Sequence, residues 1–327
     1  MIGQGDVRTF MKILVTGGAG FIGSHLVDAL VARKAEVVVL DNLSTGRMKN
    51  LRQSTAKPKF KFIKGDLKKY GEWKEVLSGV SLVYHLAANP EVRVGEVEPT
   101  VHFEENLVAT FKLLEAMRKS GGTKNIVFAS TSTVYGEASQ LPTREDYGPL
   151  LPISTYGASK LGCESLISSY AYTHGMRSLI LRLGNCVGSR AGHGVIVDFI
   201  EKLKSNPKSI EILGDGSQKK SYIHIEDCIE ATLLAADNFL RSGRRVELYN
   251  LSSSDQISVK QIAEIVVEEM GLSGVRMNFA GGVDGGRGWL GDVKVMHLSI
   301  EKLLKLGWKP KRNSEEAVRA ATKELLS

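Results

Sequence analysis

Cysteine is scarce in this chain of 327 residues. The three present, Cys163, Cys186 and Cys228, are odd in number and far apart. That excludes a disulfide framework and a CxxC zinc site, and it suits a reducing cytosol; no metal is expected. Long hydrophobic runs are also missing. The longest, such as Val37-Val38-Val39-Leu40, have strand length, far short of the roughly 18–20 residues that cross a bilayer. The N-terminus is polar and lacks the apolar core of a signal peptide, so a cytoplasmic protein without membrane contact is expected. Basic residues exceed acidic ones by seven, but they form short runs mixed with acids. There is no basic stripe interleaved with aromatics, so nucleic acid is not an expected partner. Repeats with a period of 20–50 residues are absent as well.

What remains is a globular composition, 43% hydrophobic and 24% charged, which excludes a disordered or fibrous chain. At roughly 150 residues per domain the length suggests two domains, or one large α/β unit with an appendage. Residues 1–10 show no periodicity and precede a second methionine, Met11, so they read as an N-terminal extension. From Lys12 onward strands alternate with helices. Strands are predicted at 12–16, 36–41, 60–63, 82–86, 126–129 and 178–183, and helices at 21–33, 98–119 and 154–174. Such alternation implies an α/β fold with a doubly wound parallel sheet. This sheet is assigned to residues 11–184. A smaller α/β lobe is assigned to 185–327, with helices predicted at 195–204, 226–240, 258–270 and 314–326. Some strands near 221–251 are free to return to the sheet, and a glycine-rich loop is expected at 280–291.

The strongest local motif is Thr16-Gly17-Gly18-Ala19-Gly20-Phe21-Ile22-Gly23. It follows a strand and opens a helix, the context in which a GxGxxG turn brings backbone N–H groups and a helix N-terminus to a pyrophosphate. Asp41 ends the next strand, where a carboxylate accepts from ribose hydroxyls and repels a 2′-phosphate. That favours NAD over NADP, although Arg47, six residues on, is a possible phosphate ligand. Asp66 reads equally as an adenine contact or a helix N-cap. Tyr156 and Lys160 stand four apart on one helix face, so the ammonium is expected to lower the phenol pKa and make a usable acid or base. On its own this spacing is also that of a solvated helix face. The hydroxyl run Ser130-Thr131-Ser132-Thr133 lies at the C-terminal end of a parallel strand, where open α/β sheets bind ligands; such runs also simply terminate strands.

Taken together, the motifs resemble the extended short-chain dehydrogenase/reductase superfamily, and within it the nucleotide-sugar epimerases, most nearly those of archaeal type. The resemblance spans nearly all of 12–326. It rests on TGGAGFIG at 16–23, DNLSTG at 41–46, GDL at 65–67, HLAA at 85–88, Asn106, STSTVYG at 130–136, YGASK at 156–160, LRLGN at 181–185, SYIHIED at 221–227, YNLSS at 249–253 and LGW at 306–308.

The resemblance implies a Rossmann domain that binds NAD and C4 epimerisation of a UDP-hexose, with UDP-glucose and UDP-galactose first and N-acetylated forms as candidates. It implies Tyr156, Lys160 and Thr131 as catalytic residues. Cofactor contacts are implied for Gly17, Gly20, Phe21, Ile22, Gly23, Asp41, Asn42, Ser44, Thr45 and Gly46. The same holds for Asp66, Leu67, Leu86, Ala87, Ala88, Asn106 and Ser130. Substrate contacts are implied for Ser132, Thr133, Asn185, Val195, Lys220, Arg287 and Asp292. Lys220 stands where many relatives have arginine, keeping the charge without the bidentate geometry. No carboxylate follows Thr131, which sets the chain apart from sugar dehydratases and decarboxylases. Counting back from Trp308 places the pocket's gatekeeper near Val295, a small residue that would admit N-acetylated sugars. A homodimer through the helices at 98–119 and 154–174 is also implied. The alternatives are an NAD-dependent reductase, dehydratase or epimerase acting on a GDP- or dTDP-sugar, and a regulator that binds NAD without catalysis.

Overall fold

The computed structural model describes residues 11–73 and 75–327; the extension assigned to 1–10 lies outside them. Six strands appear where the sequence predicts them: β1 (Lys12–Thr16), β2 (Glu36–Asp41), β3 (Phe60–Lys64), β4 (Val80–His85), β5 (Asn125–Thr131) and β6 (Arg177–Leu183). They form one parallel sheet in the order β6, β5, β4, β1, β2, β3. A seventh strand, Val246–Leu251, returns from the second half and pairs in parallel outside β6.

Burial on both faces explains the unbroken apolar runs. Successive side chains of a strand point to opposite faces. Ile13 and Val15 accordingly join one core with Leu26 and Leu30 of the helix Phe21–Ala32. Leu14, between them, joins the other core with Leu113 and Met117. The strand order reverses between β1 and β4, so their C-terminal ends splay around a crevice where such sheets bind ligands.

The helix expected at 98–119 begins at Thr100 and ends at Ser120, where Gly121 adopts φ 69°. Its middle, Phe103–Val108, is a π-helical turn. There the Asn106 carbonyl accepts the Thr110 hydroxyl at 2.7 Å. The helix expected at 154–174 runs over Thr155–Thr173, and the Ser154 hydroxyl caps it by accepting from Gly157 N at 3.1 Å.

In the second half, helices Val195–Ser205, Val259–Glu269 and Ser314–Leu326 pack around Phe199, Ile262, Val266 and Val318. The strand Tyr222–His224 stays off the main sheet and pairs with Asn185–Val187. Three two-residue strands, Lys219–Lys220, Ile257–Ser258 and Val295–Met296, escape sequence reading because they are too short to show a period. Among the described residues no helix is long and apolar enough to cross a membrane.

Candidate active site

A cleft of about 1240 Å³ opens along the C-terminal ends of β1, β2, β4, β5 and β6. Its first wall is the glycine turn. Gly17 has φ 69°, and a Cβ there would stand 2.6 Å from Ala87 N. A Cβ on Gly23 would stand 2.2 Å from Gly17 O. Both positions therefore exclude a side chain, and the turn packs directly against Leu86 and Ala87. The helix Phe21–Ala32 starts at Gly20 without a side-chain cap, so its first N–H groups are open to a ligand. Gly17, Gly20, Phe21, Ile22 and Gly23 all line the cleft.

Asp41 closes this end. It is buried, and its carboxylate accepts from Ala19 N at 2.9 Å and Leu43 N at 2.8 Å. Burial raises its pKa, and those two N–H groups oppose the rise. Each oxygen keeps a second lone pair. Asn42, Ser44, Thr45 and Gly46 continue the wall, with Arg47 beside them. Asp66 accepts from Lys68 N at 2.8 Å, capping a turn and not a helix, and it still faces the cleft with Leu67. Leu86, Ala87 and Ala88 form the floor. An uncapped helix end, a turn too tight for any Cβ and a carboxylate with spare acceptors fit an adenine dinucleotide.

The far end carries the reactive side chains. Thr131 ends β5, its hydroxyl 3.1 Å from the Thr133 hydroxyl and accepting from Thr133 N at 3.2 Å. Ser132, Thr133, Tyr156 and Lys160 face the same space. Burial pushes the Tyr156 phenol up to about 12, against the Thr131 hydroxyl, which lowers it. Burial pushes Lys160 down to about 8. The expectation that Lys160 lowers the Tyr156 pKa is therefore not met. The ammonium sits over the Phe128 ring, 4.2 Å from its centroid, and desolvation dominates at the phenol.

Other expectations are also corrected. Asn106 is buried behind the cleft and does not line it. It holds two elements together, accepting from Asn89 N at 2.7 Å and donating to the Ser159 hydroxyl at 3.0 Å. Ser130 lies at the cleft but spends its hydroxyl on Glu164, which it meets at 2.5 Å. Arg287 does not line the cleft: its guanidinium is held by Glu137 through Nη2 at 2.6 Å, by Asp284 at 3.2 Å and by Asp292 O at 2.9 Å. Val295 is 38% exposed on an outer strand and does not reach the pocket; Met296, its neighbour, does. Asn185, Val195, Lys220 and Asp292 do line the cleft. Lys220 is paired with Asp292 at 2.5 Å, and the buried Asn185 Nδ2 has no partner among the described residues.

The sequence reading missed several groups. His102 bridges Glu91 O at 3.0 Å and the Thr155 hydroxyl at 2.9 Å, with its ring edge-on to Tyr156 at 5.5 Å. A carbonyl can only accept, so Nε2 carries the proton and Nδ1 accepts from Thr155. Glu164 and Arg182 form a buried ion pair at 2.7 Å behind Ser130. Their separation in sequence hides both arrangements. Among the described residues no cluster of His, Cys, Asp and Glu could hold a metal ion.

His85 had a visible signal: a histidine ending a buried apolar strand. It lies between the Thr16 hydroxyl at 2.7 Å and the Thr110 hydroxyl at 2.9 Å. Burial first, then the Lys160 charge, pushes its pKa down to about 3. The folded chain thus refuses a proton that the unfolded chain takes near 6.5. Stability contributed by neutral His85 is complete above pH 6.5 and is lost as pH falls toward 3. At pH 4.5 the loss is on the order of 3 kcal/mol. Urea unfolding at pH 7 and 4.5 is expected to show a steeper acid loss in the parent than in His85→Asn; equal slopes would remove this role.

Residues 13–252 match the NAD dependent epimerase/dehydratase family. A protein of Methanocaldococcus jannaschii provisionally named UDP-glucose 4-epimerase is 35% identical over 312 residues, 94% of this chain and 96% of its own. A crystal structure of a UDP-galactose 4-epimerase superposes with a TM-score of 0.86 at 44% identity, covering 96% of this chain and 98% of that one. The Thermus thermophilus UDP-glucose 4-epimerase in complex with NAD gives 0.82 at 32% identity, covering 96% and 98%. With the family match spanning most of the chain and falling on the strands and turns that build the cleft, this protein belongs to the NAD dependent epimerase/dehydratase family.

Proposed function

We propose that the chain catalyses NAD-dependent epimerisation at C4 of a UDP-hexose, UDP-galactose and UDP-glucose being the first pair. One observation carries this reading. Tyr156 and Lys160 face Thr131, Ser132 and Thr133 at the end of a single cleft whose other end fits an adenine dinucleotide. The UDP-glucose and UDP-galactose 4-epimerases among its relatives support the choice of sugar.

The glycine turn and the end of helix Phe21–Ala32 hold the pyrophosphate of NAD, and Asp41 holds the adenosine ribose. Bound there, NAD supplies reversible hydride acceptance at C4. Tyr156 takes the proton of the C4 hydroxyl as phenolate and returns it as phenol. Lys160 is the chain's own cation at this end, while burial dominates the pKa of the phenol in the chain by itself. Thr131 bridges Tyr156 to the sugar oxygen, and Ser132 and Thr133 offer further donors. Asn185 and Lys220 face the diphosphate, with Val195 and Asp292 beside them. Positions 132 and 133 are hydroxyls, so no carboxylate follows Thr131 to serve C5 or C6. That favours plain inversion at C4 over dehydration. Asn106 and Arg287 act from behind, one fixing the helix of Tyr156 and the other the loop at 280–291.

We also propose a cytoplasmic setting, which three free cysteines suit. We also propose a homodimer. Phe111 and Tyr172, on the two helices expected to pair, are 44% and 64% exposed, and Phe103 is 53% exposed. Purified protein incubated with UDP-galactose and NAD is expected to yield UDP-glucose and to scatter light with the mass of a dimer. Failure to interconvert any UDP-hexose would refute the activity, and a monomer mass would refute the assembly. Net accumulation of NADH or a keto-sugar would point to another reaction of the family.

A further inference from the structure

We infer that His102 is a positioning residue for the proposed reaction: through Thr155 it sets the Tyr156 ring, braced against the cleft wall that follows β4. The inference rests on the epimerase reading above and adds to it a residue that does not itself line the cleft.

Two rungs join the helix that begins at Thr100 to its neighbours. In the first, His102 Nε2 donates to Glu91 O at 3.0 Å, and Nδ1 accepts from the Thr155 hydroxyl at 2.9 Å. In the second, four residues on, Asn106 accepts from Asn89 N at 2.7 Å and donates to the Ser159 hydroxyl at 3.0 Å. Each rung takes one backbone group from 89–91 and one hydroxyl from the helix Thr155–Thr173. Thr155 and Ser159 are also four apart, so both rungs meet one face of that helix. Tyr156 lies between them, and Lys160 follows the second. On the other side, Pro90, Glu91, Val92 and Arg93 line the cleft.

The first rung is sealed. His102 is buried, and Gly95 makes room for its bond to Thr155. A Cβ at 95 would collide with Thr155 Oγ1 and stand 2.7 Å from His102 Nδ1. Burial lowers the His102 pKa, which keeps Nδ1 free to accept. With both nitrogens bonded the imidazole cannot turn, and the Tyr156 ring packs against it with centroids 5.5 Å apart. Of the two bonds, the one to Thr155 lies beside the phenol, one residue away in the helix. The phenol oxygen must come within about 3 Å of the proton it exchanges. A misplacement of about 1 Å can cost about 10²-fold in rate. Fixing the ring against which Tyr156 packs therefore acts on turnover and not on affinity.

Two amides dissect the imidazole. In His102→Asn the amide oxygen takes the place of Nδ1 and keeps the Thr155 bond. In His102→Gln the amide N–H takes the place of Nε2 and keeps the Glu91 bond. Steady-state assays with UDP-galactose on the NAD-loaded protein are expected to show kcat lowered about 10- to 100-fold in His102→Gln, with KM within about threefold. His102→Asn is expected to recover most of that kcat, and Thr155→Val to match His102→Gln. A general loss of structure would show in the melting curve and would not sort the two amides. Fluorine NMR of protein labelled with 3-fluorotyrosine gives a second readout that needs no turnover, the Tyr156 signal being assigned with Tyr156→Phe. Both amides lack the imidazole ring, so a difference between them in that signal reports the Thr155 bond. The signal is expected to stay single in His102→Asn and to split or broaden in His102→Gln. Equal kcat in the two amides, or a loss that falls on KM, overturns the inference. A parent that interconverts no UDP-hexose overturns the epimerase reading, and the fluorine signals then decide on His102 by themselves: if alike in the two amides, they overturn its role.

Discussion

Tyr156→Phe is expected to lower turnover of UDP-galactose by about 10²–10⁴-fold, the usual contribution of a positioned acid or base. The substitution removes one oxygen and keeps the ring. That ring lies edge-on to His102 at 5.5 Å, and His102 is held by Glu91 O and Thr155 whether or not the phenol oxygen is there. The folded structure and the dinucleotide end of the cleft should therefore survive. The lost group is the one that exchanges a proton with C4, since Thr131 is tied to Thr133 and an alkyl hydroxyl is a far weaker acid than a phenol. Steady-state assays with a melting curve and an NAD titration separate the cases. Activity within tenfold of the parent, with NAD bound normally, would remove Tyr156 from the reaction. A parallel loss of NAD binding would mean that the residue serves the cofactor and not the proton.

The parts legible in the sequence are those whose causes are local. A buried parallel strand must be apolar on both faces, so the inner strands stand out as apolar runs, while β3, at the sheet edge, alternates phenylalanine with exposed lysine. The turn at 16–23 is legible because Gly17 and Gly23 have no room for a Cβ, a demand met only by glycine. The Tyr156–Lys160 spacing is legible because a helix sets it. Burial is not local, and it raises the phenol pKa where the helix spacing alone predicts a lowering.

Charge pairing across long separations is likewise hidden. Arg287 and Glu137 are 150 residues apart, so the sequence shows a free cation where the fold has a clamp. Val295 illustrates register. Side chains alternate along a strand, so a count wrong by one residue selects the outward neighbour of Met296. Trp289 falls in a glycine-rich loop with no period to read, and only the fold brings it to the cleft.

The largest stability effect is expected at Glu164, which carries no part of the proposed chemistry. Its carboxylate accepts from Arg182 Nη2 at 2.7 Å, from Arg182 Nε at 3.0 Å and from the Ser130 hydroxyl at 2.5 Å. Both side chains of the ion pair are about 5% exposed. Glu164→Ala leaves a guanidinium buried without its carboxylate and a serine hydroxyl without its acceptor. Removing one partner of such a pair costs about 3–5 kcal/mol. Urea unfolding is expected to show a loss of that size. The double change Glu164→Leu with Arg182→Met is expected to recover much of it, because the pair's own attraction mostly offsets the desolvation of two charges. Ser130 precedes Thr131 on β5, and Glu164 lies one helical turn beyond Lys160. The single variant is therefore also expected to lower kcat, by releasing the strand end that aims the Thr131 hydroxyl. A loss below about 1 kcal/mol, the range of an exposed pair, would mean that water reaches Arg182. The strand end would then owe its position to the Thr131–Thr133 contact alone.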